Sequence, residues 1–134
     1  MIDIENEVFN TVASALRSRF HPIAIYGEVV DLPAVFPCVM MVEKDNRVYA
    51  RTQTGLETEN HALLMYEIDV CSNKQSGKKS EVKEIFSVID AEMAKLGFSR
   101  IMLAPMPNLW DGSIYRMVGR YQAVVSVDHV IYRG

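Results

Sequence analysis

The stretch His61–Ser72 alternates: Ala62, Leu64, Tyr66, Ile68 and Val70 fall on one side of an extended backbone, with Glu67, Asp69 and Cys71 on the other. A period of two over this length predicts a strand with one face in a core. Such a strand cannot stand alone, because its apolar face needs a second layer and its backbone groups need neighbouring strands. Any fold for this chain has to supply both.

Two amphipathic helices supply the layer. Over residues 4–20, Ile4, Val8, Val12, Leu16 and Phe20 recur every four positions, with Phe9 and Ala13 widening the stripe. Asp3 is placed to cap the start, acids precede basic residues along the segment, and Pro22 stops it. The second stripe is Val82, Ile85, Phe86, Ile89, Met93 and Leu96, with Ser76 or Ser80 expected as the cap and Gly97 as the terminating residue.

Short strands are predicted at residues 23–26, 38–43, 99–104 and 113–127. Residues 38–43 are apolar at successive positions, as in a strand covered on both sides. Residues 113–127 put Tyr115, Met117, Tyr121, Ala123, Val125 and Val127 on one face and Arg116, Arg120 and Gln122 on the other. Residues 45–60 are polar, yet residues 47–54 alternate, so they read as an arm with its turn near Gly55. The expected fold is one α+β domain over residues 1–134: two helices packed on one face of a mostly antiparallel sheet, with an extended β-hairpin arm. Its uncovered face would collect Glu67, Asp69, Arg116 and Arg120.

Composition fits a folded domain: 49% of the 134 residues are hydrophobic and 23% charged. No apolar run approaches the ~20 residues that span a bilayer, so no membrane role is expected. The acidic start does not resemble a secretory signal, and two cysteines are too few for a disulfide framework, so a reducing cytoplasm is the default expectation. With a net charge of −3, any basic function must be local.

The connection at residues 72–81, SNKQSGKKSE, places Gly77-Lys78 between a strand and a helix, the order in which a phosphate loop is built. It lacks the first glycine of that motif, and Lys79 stands where a magnesium-binding hydroxyl belongs. A capped helix start with solvated lysines is the better reading. Lys74, Lys78, Lys79 and Lys83 have no interleaved aromatic platform for nucleic-acid bases. His21, His61, His129 and the two cysteines show no zinc spacing, and no catalytic constellation stands out, so neither an enzyme nor a cofactor is expected. Most of the methionines fall in strand patterns and are expected in the core. Trp110, in a turn-rich loop, reads equally as a core lid or an interface anchor.

Four segments carry a family resemblance: IENEVFNTVASALRSRF, FPCVMMVEKDN, MYEIDVCSNKQSGKKSEVKEIFSVIDAEM and LGFSRIMLAPMPNLWDGSIYRMVGRYQAVVS. Along nearly its whole length the chain resembles the tail-completion, or tail-terminator, proteins of tailed bacteriophages and prophages, the group of the phage lambda tail terminator. The resemblance implies a subunit of a homo-oligomeric ring, commonly a hexamer, that caps the tail tube and ends its polymerisation. It also implies partners: the tail tube protein, the head-closure or connector protein that docks on the ring, and DNA passing through the lumen without specific binding. The expected location is the virion, after assembly in the host cytoplasm. On this reading the subunit and partner contacts draw on Arg47, Tyr49, Arg51 and Gln53 of the arm, on Glu67, Asp69, Arg116 and Arg120 of the sheet face, and on Lys78, Lys79 and Trp110. The alternatives are a head-closure or neck protein of the same region and a small ligand-binding α+β regulatory module.

Overall fold

The computed structural model describes residues 1–30, 33–48, 61–107 and 111–133. Among these residues the elements in order are α1 (Glu5–Arg19), β1 (Ala24–Tyr26), β2 (Cys38–Val48), β3 (His61–Ser72), α2 (Lys78–Leu96), β4 (Ser99–Met106), β5 (Tyr115–Ser126) and β6 (Ile131–Arg133). The strands form one sheet in the order β1-β2-β3-β5-β4, with β6 also pairing with β5. Only β1 with β2 is parallel; the other pairings are antiparallel. The architecture is the α+β arrangement expected from the sequence.

The helix ends show local chemistry at work. Ahead of α1, the Glu5 N–H donates to Asp3 Oδ1 at 3.1 Å, so Asp3 serves the first turn from one position before the N-cap, Ile4. At the start of α2 the expected serine cap is not made. Gly77 occupies the N-cap position with φ 82° and no side chain caps the helix; instead Ser72 Oγ, at the end of β3, donates to Glu81 Oε1 at 2.7 Å. That bond ties the first turn of the helix to the strand and holds a carboxylate near the positive end of the helix dipole. At the other end Gly97, with φ 99°, donates to the Ala94 carbonyl while Phe98 donates to the Met93 carbonyl. This is a Schellman ending, and the left-handed conformation favours glycine there.

Both helices bury their stripes in one core. Val8, Val12 and Leu16 of α1 meet Ile85, Ile89 and Met93 of α2, Val39 and Met41 of β2, Leu64, Tyr66 and Ile68 of β3, and Tyr121, Ala123 and Val125 of β5. Gly119 interrupts the alternation of β5 for a packing reason: a Cβ there would lie 2.9 Å from the Phe86 ring. Two tyrosines buried in this core direct their hydroxyls to acids, Tyr66 to Glu43 Oε1 at 3.0 Å and Tyr121 to Asp90 Oδ1 at 3.2 Å. Their apolar bodies join the core while each hydroxyl keeps a partner.

Several boundaries differ from expectation. β2 continues past residue 43 to Val48, paired with β3 throughout, with a bulge between Glu43 and Asp45. The extra residue shifts the alternation, so register places Asp45 and Arg47 on the face of Met65 and Leu63, away from the helices. The rest of the anticipated arm, residues 49–60, lies outside the described residues. β4 runs on through Pro105 to Met106, which an outer strand tolerates because its backbone needs partners on one side only. β5 stops at Ser126, so Val127, expected on the inner face, is exposed. β6 was not anticipated. Among the described residues no helix is long and apolar enough to cross a membrane.

Candidate functional site: the open face of the sheet

Because α1 and α2 cover one side of the sheet, the alternate residues of β2, β3 and β5 face away from them. At one end this second face is closed by residues preceding β2, where Tyr26, Val30 and Phe36 pack with Ile114 over Cys38, Met40 and Cys71. That cover explains why β2 opens with four successive buried residues, as the sequence predicts. Beyond it the face is open among the described residues.

The centre of the open face carries two ion pairs. Glu67 and Arg120 are direct partners across β3 and β5, and Arg120 Nε donates to Glu67 Oε2 at 2.9 Å. One step along, Arg116 reaches diagonally from its position opposite Cys71 and donates to Asp69 Oδ2 from Nε at 3.2 Å and Nη2 at 2.7 Å. Asp69 is only 7% exposed, and its Oδ1 is buried without a hydrogen-bond partner among the described residues. Burial pushes its carboxyl above the ordinary aspartate range, with Arg116 pulling the other way. Desolvation therefore outweighs the ion pair at this position. The outer pair is more exposed, at 43% for the Arg120 side chain and 19% for Glu67.

Around these charges lies a half-buried apolar ring. Register puts Val42 beside Glu67, Met65 next to Gln122, Leu63 opposite Val124, and Met102 of β4 opposite Arg120. Arg47, opposite Leu63, is ion-paired with Asp45 at the margin.

The structure therefore brings together five of the residues singled out from the sequence: Arg47, Glu67, Asp69, Arg116 and Arg120. It does not bring Lys78 and Lys79 there, since both begin α2 in the helical layer. Lys78 is not freely solvated as expected; its Nζ donates to the Ser113 carbonyl at 2.9 Å and holds the helix start to the loop before β5. Lys79 is exposed. Tyr49, Arg51, Gln53 and Trp110 lie outside the described residues. Of the methionines expected in the core, Met40, Met41 and Met117 are buried, while Met65 and Met102 are half-buried on the open face and Met106 is exposed.

The apolar ring was missed in the sequence although a signal existed: Leu63 and Met65 are apolar residues on the polar side of an alternating strand. The opposite-sign charges also meet each other within the chain, Arg116 with Asp69 and Arg120 with Glu67.

Elsewhere, a cleft of about 350 Å³ between α2 and β4 is lined by Phe86, Asp90, Arg100, Leu103 and Met117 among others. Its acid is already engaged, with Arg100 Nη1 at 3.5 Å and the Tyr121 hydroxyl at 3.2 Å from Asp90 Oδ1. Among the described residues no group of three or more His, Cys, Asp or Glu side chains is arranged to hold a metal ion. In comparisons with known proteins, no family model matches the chain and no curated protein matches it.

Proposed function

We propose that this protein is a structural subunit of a phage tail-terminator ring, in which the open sheet face forms part of the contact between neighbouring subunits. The tail assignment comes from the sequence resemblance, and the structural support comes from one observation: among the described residues, a six-stranded sheet is covered by helices on one face only. An apolar ring around charges already paired within the subunit suits burial at an interface. Covering a paired charge leaves no lone ion stranded, and the apolar rim supplies the driving force.

A closed ring needs a heterologous contact, in which this face meets a different surface of the next subunit. The function is then mechanical. The ring caps the tail tube, ends its growth, presents a docking surface to the head connector and leaves a lumen through which DNA passes. A net charge of −3 suits a channel that does not retain DNA. The protein performs no covalent chemistry and takes no cofactor in this role, and it resides in the virion after assembly in the host cytoplasm.

Negative-stain electron microscopy of the purified protein tests the proposal. Closed rings of uniform diameter, commonly of six subunits, are the expected result. Isolated particles of single-subunit size at every concentration, with no binding to purified tail tubes, would contradict it.

A further inference from the structure

The two cysteines, separated by 32 residues in sequence, stand directly opposite one another where β2 pairs with β3. Both are free and buried, Cys38 at 0% exposure and Cys71 at 4%. With Met40 they form a small sulfur-rich cluster on the face away from the helices, separate from the main core.

Direct partners in an antiparallel pair have Cα atoms roughly 4.5–5.5 Å apart and side chains on the same face. A disulfide requires a Cα separation of about 4.4–6.8 Å. Bridging these two residues therefore needs rotation of the thiols and no change of register.

We propose that Cys38 and Cys71 are a redox-sensitive pair that closes to an intramolecular cross-strand disulfide on exposure to a small disulfide oxidant such as oxidised glutathione, locking β2 to β3. This inference is independent of the ring assignment.

The exchange has two steps. The Cys71 thiol loses its proton to solvent, and the thiolate attacks one sulfur of oxidised glutathione, forming a mixed disulfide and releasing one glutathione thiolate. The Cys38 thiol then loses its proton to solvent and its thiolate attacks the Cys71 sulfur, forming the cross-strand bond and releasing the second glutathione as its thiolate; the two glutathione thiolates take up the two protons. Two protein thiols have given up two electrons and two protons, and one oxidised glutathione has become two reduced molecules.

Cys71 goes first because it has the greater exposure and the more accessible thiolate. Burial pushes Cys38 up to about 12 and Cys71 up to about 11, with the neighbouring Asp69 adding to both. Neither thiol is ionised to any extent at neutral pH, so closure is slow and accelerates as pH rises. Access also requires the cover to lift, and one of its attachments is the Val30 N–H on Met40 Sδ at 3.2 Å. The pair is a latch that stays open in a reducing compartment and closes over time in an oxidising one.

The test uses the full chain, folded and without denaturant, incubated at pH 8 with oxidised glutathione. It is then unfolded, alkylated with iodoacetamide and weighed intact, with a non-reducing peptide map alongside. The expected product has the monomer mass less two hydrogens, takes up no alkyl group, and yields a peptide pair linked through Cys38 and Cys71. Its unfolding midpoint should rise by roughly 5–10 °C over the reduced chain. Cys38→Ser should stop at a single glutathione adduct on Cys71. Two alkylated cysteines after oxidation, a stable glutathione adduct on the unsubstituted chain, or a link between two chains would each overturn the proposal. The peptide map of the unsubstituted chain decides the matter if the variant fails to fold.

Discussion

The two faces of this sheet are made by the same strands, one residue apart, and they are held by different forces. Leu64 points into the helical layer and is fully buried, whereas its neighbour Leu63 points the other way and is half-buried. Toward the helices, β3 presents Ala62, Leu64, Tyr66, Ile68 and Val70 to a continuous apolar core. Away from them it presents Leu63, Met65, Glu67 and Asp69, with both acids paired to arginines of β5. Burial of apolar area holds the first face and stabilises the folded chain. The second has apolar groups still partly in water and charges that pair with one another.

The contrast can be broken most sharply at the leucine pair. Leu64→Ala removes a fully buried side chain and should lower unfolding free energy by about 3 kcal/mol, while Leu63→Ala should cost under about 1 kcal/mol in the isolated chain. Urea unfolding monitored by circular dichroism measures both, and equal losses would show that the open face is as much a core as the other.

The ion pairs come next. Arg116→Ala leaves the buried Asp69 carboxylate without its partner and should cost about 2 kcal/mol, whereas Arg120→Ala, in the more exposed pair, should cost about 0.5 kcal/mol. A reversed order in the same unfolding assay would contradict the assignment of Asp69 as the buried member.

The smallest effect is a pH dependence. Because burial raises the folded carboxyl of Asp69 above its unfolded value, the folded state holds this proton more tightly than the unfolded chain does. The resulting stability is fully present below the ordinary aspartate range and is lost as pH rises through the folded value. Relative to Asp69→Asn, the unsubstituted protein should therefore gain stability as pH falls from 7 toward 4. Urea midpoints of the two proteins at matched pH values report the sign, and a relative loss on acidification would contradict it.

Much of this was legible in the sequence because periodicity is local. The alternation in residues 61–72, the four-residue repeats of both helices and the glycine ending α2 each fix an element from within a short window. The grouping of Glu67 and Asp69 with Arg116 and Arg120 also followed, since the face of each strand can be counted from its own pattern. Register could not be counted. Which residue of β2 stands opposite which residue of β3 depends on the bulge between Glu43 and Asp45, and that is set by packing across the sheet. For this reason the pairing of Cys38 with Cys71 and the position of Arg47 on the open face emerged only from the structure. The start of α2 misled for a different reason: serines flank it, but the Gly77 conformation and the Ser72 bond to Glu81 take over the work of a cap. The apolar ring was overlooked because Leu63, Met65, Val42, Val124 and Met102 come from four strands distant in sequence.

Light scattering on the size-separated protein and on Arg120→Glu probes the proposed contact between subunits at the open face. This substitution sets two acids against each other at the centre of the face while leaving the helical core untouched. The expected result is a mass several times 15.2 kDa for the unsubstituted chain and a collapse to single-chain mass for the variant, with its circular dichroism unchanged. An unsubstituted protein that stays at single-chain mass across the accessible concentration range, or a variant that assembles as well as its parent, would contradict it.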